Sequence, residues 1–193
     1  MLPVIQRLLV TACILLLAAC ANVSTVPSGS YSQAARSHLY DMQKWRLEGR
    51  LAISAPNDSW SANIVWSHLP DVEIIKLSGP LGQGTVIIEL YDSVVKIDRG
   101  GGNVRTSNRP EQFINQQLGL FVPIRSLRYW AVGLPESALT FQETGDGFVQ
   151  DSWLVTYKEM QKIGVELMPR KMAVSNERLK LKLIIDQWGL NGS

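Results

Sequence analysis

The chain has 193 residues, a formal net charge of +2 and 2 cysteines. A balance this close to neutral lacks the basic footprint of nucleic-acid binding and also argues against a polybasic membrane patch. With so few cysteines the fold has to be stabilised by its hydrophobic core rather than by a framework of disulfides.

The N-terminus has the features of an export signal. Arg7 is the only charge in the first 35 residues, and residues 8–17 form an almost unbroken apolar run. This run of about ten residues is too short to span a bilayer, which needs roughly 20. It ends in Leu17-Ala-Ala-Cys20, which resembles the lipobox of bacterial lipoproteins. We expect cleavage before Cys20 and lipid on its thiol; the alternative is an ordinary secretory signal with a chance cysteine.

Three regions follow from this interpretation. Residues 1–19 are the signal peptide, and residues 20–32 are the lipidated cysteine with a flexible tether rich in Ser, Pro and Gly. Residues 33–193 form one domain, because no later shift in composition or internal repeat divides them. Removing residues 1–19 from the 193 leaves 174, enough for a sizeable core. Cys13 is removed as well, so the mature chain has no internal disulfide or zinc–thiolate site.

Apolar periodicity predicts the elements of this domain. A helix is predicted over residues 33–45, and helices open at Pro110 and Pro123, to about residues 118 and 132. The remaining elements are strands. Their predicted ranges are 47–55, 59–67, 72–78, 85–90, 94–98, 104–107, 139–143, 147–150, 152–157, 164–168, 172–175 and 178–188. This order suggests one large curved sheet with the helices against its concave face.

The sequence is rich in tryptophan, with 6 such residues. Trp60, Ala62, Ile64 and Trp66 alternate on one face of a predicted strand. Large aromatics at period two are usually plain core. A curved sheet covered by helices can instead leave an apolar cavity that suits a large apolar ligand such as acyl chains. The sequence leaves both interpretations open.

The turn between Gly79 and Gly84 carries an apolar residue, Leu81, where polar residues are usual. This side chain either folds back onto the body or projects and touches a membrane surface. The segment superficially resembles a phosphate loop, but it lacks the lysine and the following helix.

Residues typical of catalysis are scarce. His38 and His68 are the only histidines, and neither lies in a motif of catalytic type. The 17 acidic residues are scattered, although two of them could still meet in the folded chain. We therefore expect no enzyme, no cofactor and no metal site.

An ordered set of segments across nearly the whole mature chain resembles the LolB family of outer-membrane lipoprotein receptors. The most specific of them is Pro-x-x-x-Leu-x-x-Trp-x-x-Gly-x-Pro. The matching segments are the lipobox, Trp45-Arg-Leu-Glu-Gly-Arg-Leu-Ala, the Trp60–Trp66 strand, Gly79-Pro-Leu-Gly-Gln-Gly-Thr85, Pro123–Pro135, Gly147-Phe148, Trp153, Tyr157 and Leu179–Leu190.

The resemblance implies a mainly β fold with α, an open half-barrel of about eleven antiparallel strands capped by helices and enclosing an apolar cavity. It also implies a monomer anchored in the outer membrane and facing the periplasm. Such a protein accepts cargo lipoproteins from the periplasmic carrier LolA through their acyl chains and inserts them among the outer-membrane lipids. Ala21 fits this location, because Asp after the lipidated cysteine tends to retain lipoproteins in the inner membrane.

Besides Cys20, two sets of site residues are expected. The turn at Pro80, Leu81 and Gly82 is the expected membrane-transfer loop. The expected cavity residues are Trp60, Ile64, Trp66, Leu77, Trp130, Phe148 and Trp153. A competing hypothesis is an envelope lipoprotein that transports nothing and acts as a scaffold or protein-binding module.

Overall fold

The computed structural model describes residues 25–27, 29–56, 58–79, 84–118 and 122–190. Within them the chain forms twelve strands, one 3-10 helix and two α-helices. The 3-10 helix is Ala34–Asp41, α1 is Pro110–Leu118 and α2 is Ile124–Ala131. The strands are β1 Thr25–Pro27, β2 Trp45–Ala55, β3 Asp58–Leu69, β4 Val72–Ser78, β5 Thr85–Leu90, β6 Val95–Asp98, β7 Val104–Ser107, β8 Phe141–Thr144, β9 Gly147–Gln150, β10 Trp153–Ile163, β11 Glu166–Ser175 and β12 Lys180–Leu190.

All twelve strands belong to one antiparallel sheet. Eleven follow one another in the order β7-β6-β5-β4-β3-β2-β12-β11-β10-β9-β8, and β1 pairs with β10 off this path. In the described part of the chain the two outer strands, β7 and β8, do not pair with each other, so the sheet stays open. The predicted open sheet of about eleven antiparallel strands with helices is confirmed.

The period-two pattern of the sequence determines which face of the sheet is buried. On β12, Leu181, Leu183 and Ile185 are buried, while Lys180 and Lys182 between them point to solvent. The buried face meets α2 and the residues that follow that helix. The core therefore lies between the concave face of the sheet and the helices, as the sequence predicts.

A glycine permits close approach of two strands where the sheet curves. Gly49 on β2 faces Ile185 of β12, and the register of this pair shifts between Ile185 and Gln187. A Cβ atom at Gly49 would collide with the carbonyl oxygen of Ile184. A side chain at this position would push β2 away from β12 and disturb the curvature.

The N-terminal helix is shorter than predicted. Instead of spanning residues 33–45 it is a 3-10 helix that ends at Asp41, and Trp45 already belongs to β2. The indole ring of Trp45 packs between those of Trp66 and Trp188, at centroid distances of 5.3 and 5.8 Å. Burial of this ring among aromatic partners outweighs the local helical spacing.

The largest differences between the predicted and the observed strands lie in the β10–β11 hairpin. β10 continues beyond Tyr157 to Ile163, and β11 runs through Pro169, where the sequence predicts a break. The register shifts between Tyr157 and Met160. Proline donates no ladder hydrogen bond, so a bulged position is where a sheet tolerates it.

The segment predicted as a tether contacts the folded body. Thr25–Pro27 pairs with Gln161–Glu159 of β10. The Tyr31 amide donates to the Gly145 carbonyl at 3.1 Å, and its ring stacks on that of Tyr157 at 5.6 Å. These contacts begin within the predicted tether, at Thr25.

Candidate functional site

An apolar cavity of about 50 Å³ lies between the concave face of the sheet and the helices. Fourteen side chains line it, and all of them are aliphatic or tryptophan. Five strands supply Leu51, Ile53, Trp60, Ile64, Trp66, Ile75, Leu77, Ile88, Leu181 and Leu183, and the helical region supplies Ile114, Val122, Ile124 and Leu127.

The structure brings four of the seven expected cavity residues together. Trp60, Ile64 and Trp66 of β3 and Leu77 of β4 line the cavity. Register explains the grouping, because Ile64 pairs directly with Leu77 and the alternate residues of each strand share one face.

The other three expected residues lie elsewhere in the core. Trp130 is fully buried at the end of α2 and lies 6.1 Å from Trp153, centroid to centroid. Phe148 is fully buried beneath the N-terminal segment, 5.5 Å from the ring of Tyr31. These residues support the elements around the cavity and do not line it.

Sequence reasoning missed the helical side of the cavity. Ile124 and Leu127 are three residues apart on α2 and turn the same way, towards β3 and β4. Ile114 of α1 and Val122, two residues before α2, complete this side. The spacing of the first two is a visible signal, but the contribution of α1 depends on tertiary packing.

A buried carboxylate lies next to the cavity. Glu73 occupies an inward position of β4, where its neighbours on the same face are Ile75 and Leu77. It accepts a hydrogen bond of 2.7 Å from the Trp66 indole, and its second oxygen lies 2.5 Å from Nδ1 of His68. Glu73 thereby holds the orientation of Trp66, which lines the cavity.

The two α-helices are attached to the body very differently. Among residues 110–117 of α1, Ile114 alone has a buried side chain. Half-buried Phe113 also packs against the core. Arg99 Nη2 donates to the Gln117 carbonyl at 2.7 Å and to Gln117 Oε1 at 3.5 Å, and the Val122 amide donates to Asn115 Oδ1 at 3.1 Å. Few contacts therefore oppose movement of α1 away from the cavity.

The C-terminal end of α2 is tied down at several points. The Trp130 indole donates to Gln150 at 2.9 Å, and the Tyr157 hydroxyl donates to the Trp130 carbonyl at 2.8 Å. Burial raises the pKa of Tyr157, which keeps this hydroxyl protonated as a donor. Arg36 donates to the carbonyls of Val132 and Gly133, just after the helix. This end of α2 is a fixed wall.

A surface cleft of about 770 Å³ adjoins the apolar cavity. Val122 lines both, and Trp153 lies in the cleft together with Ala55 and Leu179. Glu111 and Asn115 of α1 form part of its edge.

Cys20 and the loop at Pro80, Leu81 and Gly82 lie outside the described residues. Of that loop's surroundings, the structure describes a hydrogen bond of 3.2 Å from the Gly79 amide to the Gly84 carbonyl. In the described part of the chain, no helix is long and apolar enough to span a membrane. Nor does any group of three or more His, Cys, Asp or Glu residues there have the arrangement of a metal site.

Comparison with solved structures defines the class of fold. A LolA superfamily protein from Nitrosomonas europaea has a TM-score of 0.50 with this chain. The alignment covers 87% of this chain and 95% of that one, at 9% sequence identity. The chain thus has the fold of a LolA-like protein, an open sheet closed on one side by helices.

Sequence comparison defines the family. The family described as outer membrane lipoprotein LolB matches residues 43–188. Outer-membrane lipoprotein LolB of Marinomonas sp. is 34% identical over 190 residues, covering 92% of this chain and 96% of the relative. The protein of that name from Chromohalobacter salexigens is 31% identical, covering 91% and 86%. The chain belongs to the outer-membrane lipoprotein LolB family, and its location is the outer membrane, to which lipid anchors it.

Proposed function

We propose that this protein receives lipoproteins from the periplasmic carrier LolA, holds their acyl chains between the sheet and the helices, and passes them into the outer membrane. Lipid on Cys20 keeps it at the target bilayer, on the periplasmic side. The observation that supports this most is the cavity, whose lining contains no polar side chain. Such a lining excludes water and favours hydrocarbon.

The cavity has to open to do this. A volume of about 50 Å³ is far below the roughly 300–1,000 Å³ of pockets that hold small-molecule ligands. An acyl chain therefore enters only when α1 moves outward and the adjoining cleft becomes continuous with the cavity. Ile114, the buried side chain of α1, acts as a plug that the acyl chains displace.

Transfer needs no chemical energy source. Each methylene that leaves water for an apolar environment gains about 0.8 kcal/mol. A binding preference of about 1.4 kcal/mol over the carrier already gives a tenfold bias towards this protein. The membrane interior is a larger apolar phase and receives the chains last, so no catalytic group is required.

The transfer assay uses the soluble Cys20→Ala form, mixed with LolA that carries a labelled lipoprotein. We expect the cargo to leave the carrier and comigrate with the soluble protein. If all of the cargo stays on the carrier, the proposed function is wrong, and a scaffold becomes the better interpretation.

The loop at Leu81 is the proposed site of contact during release into the membrane. Leu81→Glu places a charge where an apolar side chain would enter the bilayer surface, at an unfavourable free energy. Acceptance from LolA should persist, while release into liposomes should fall. Normal release by this variant would remove the loop from the mechanism.

A further inference from the structure

The tip of the β10–β11 hairpin exposes apolar side chains. Val165 has 99% of its surface exposed, and Leu167 next to the turn has 39%. Gly164 precedes Val165 with φ of +60°, which makes the tight turn possible. Val165 and Leu167 together make a small apolar patch at the hairpin tip, where polar residues are the usual choice.

The N-terminal strand runs towards this tip. Pro27 pairs with Glu159, Val26 with Met160 and Thr25 with Gln161. Because β1 and β10 are antiparallel, the chain before Thr25 leaves β1 in the direction of Ile163. Cys20 is five residues before Thr25, so it lies within about 18 Å of it at full extension. The lipid anchor and the hairpin tip therefore belong to the same end of the sheet.

We propose that the β10–β11 hairpin tip contacts the outer-membrane surface beside the lipid anchor, with Val165 inserted at the boundary between headgroups and acyl chains. The chain length between Cys20 and β1 allows no large separation between the tip and the bilayer while β1 is paired. Lys162 is exposed beside the tip and offers a cation to anionic headgroups, while Glu166 forms a hydrogen bond of 2.8 Å with His38. This inference rests on the lipidation of Cys20 proposed above, but not on cargo binding.

The contact sets the orientation of the whole protein. β11 has ten residues and carries the chain about 30 Å from the tip to the β11–β12 turn. Asn176, Arg178 and Leu179 at that turn line the cleft next to the cavity. A membrane-bound tip thus turns the cleft towards the periplasm, from which a carrier arrives.

Site-specific fluorescence tests the contact in the lipidated protein. The Cys20 thiol is consumed by the lipid, so Val165→Cys supplies a single free thiol for an environment-sensitive fluorophore. Glu177→Cys is the matched control, because it is exposed at the opposite end of β11. The unsubstituted protein should take up no fluorophore, which checks the lipidation separately.

We expect the fluorophore at position 165, on vesicles of phosphatidylethanolamine and phosphatidylglycerol, to shift to the blue. Spin-labelled lipids should quench it several-fold more strongly than the one at position 177. Equal, water-like signals at both positions would overturn the proposal. Because the fluorophore is itself apolar, hydrogen exchange of unlabelled protein provides a second measurement. Amides 164–167 should exchange more slowly on vesicles than in the soluble Cys20→Ala protein, and unchanged exchange would also count against the contact.

Discussion

Glu73 is the residue that least fits the apolar pattern of its strand. It has only 5% of its surface exposed and lies on the same face of β4 as Ile75 and Leu77. Its carboxylate is compensated by the Trp66 indole, by His68 and by Arg128, whose Nη1 lies 3.6 Å away. A buried charge is stable only with such partners. The cluster fixes one wall of the cavity.

The Glu73→Ala substitution should therefore cost more stability than loss of a surface ion pair. It leaves the Trp66 N–H buried without an acceptor, at about 1–3 kcal/mol of unfolding free energy. The control is Glu89→Ala, which removes the more exposed pair with Lys96 at about 0–1 kcal/mol. Urea unfolding of both variants measures the difference, and equal losses would contradict the role given to Glu73.

The sequence indicates the inward face of β3 and β4, but not the pairing of Glu73. Strict alternation around Trp60, Ile64 and Trp66 is a local signal, and strand register brings Leu77 to the same place. Contacts between Glu73 and Arg128 join positions far apart in the chain. No local pattern in the sequence predicts these contacts, because they depend on how α2 packs against the sheet.

At the scale of elements, the contrast between α1 and α2 determines where the cavity opens. α2 buries Ile124, Leu127 and Trp130 and is held by hydrogen bonds at its C-terminal end. α1 has Ile114 as its one buried side chain among residues 110–117. The element with fewer buried apolar contacts opens at the lower free-energy cost.

Truncation of Ile114 should loosen α1 specifically. Ile114→Ala removes the plug, and we expect a fluorescent fatty acid to associate several-fold faster than with the unsubstituted protein. Ile185→Ala is the control, because Ile185 is equally buried on β12 but does not line the cavity. Both variants should lose about 2–5 kcal/mol of stability. Stopped-flow binding distinguishes them, and the same association rate in both would contradict the role of α1.

The elements that the sequence predicts best are those with uninterrupted periodicity. β4, β5 and α1 have the predicted bounds, whereas the extension of β10 to Ile163 escapes prediction. A bulge near Glu159 shifts the alternation, so that Met160 and Gln161 are both buried. β1 has three residues and forms only because β10 offers an unpaired edge beside β9.

At the scale of the whole molecule, the two ends of the sheet face different surroundings. The strands are antiparallel throughout, so the connection from Ser78 to Thr85 emerges at the end opposite the β10–β11 turn. The described ends of this connection, which contains Leu81, thus lie at the opposite end of the sheet from Thr25, from which the chain leads back to the lipid anchor. The sequence names both features, but only the strand order shows their separation.

Contact of the Leu81 loop with the membrane therefore requires β1 to detach from β10 during the proposed transfer. With β1 paired, the free tether from Cys20 to Thr25 spans at most about 18 Å. Release of β1 extends the tether to Tyr31, where the next contacts hold the chain, and its reach to about 40 Å. That exceeds the roughly 33 Å spanned by the eleven residues of β10. The released tether is thus long enough for the body to turn its Leu81 loop to the membrane.

In the proposed function, acyl chains occupy the space between the sheet and α1. Crosslinking from a photoreactive phenylalanine analogue at position 60 tests it most directly, because Trp60 is a half-buried aromatic residue of the cavity. Position 141 provides the control, since Phe141 is an aromatic residue with 39% of its surface exposed and does not line the cavity.

The two variants are loaded with a lipoprotein whose acyl chains carry a radiolabel, illuminated, and compared. We predict that crosslinks to the acyl chains form from position 60 and are absent, or several-fold weaker, from position 141. Crosslinking that is equal at the two positions, or found only at position 141, would show that the acyl chains bind elsewhere and would contradict the account.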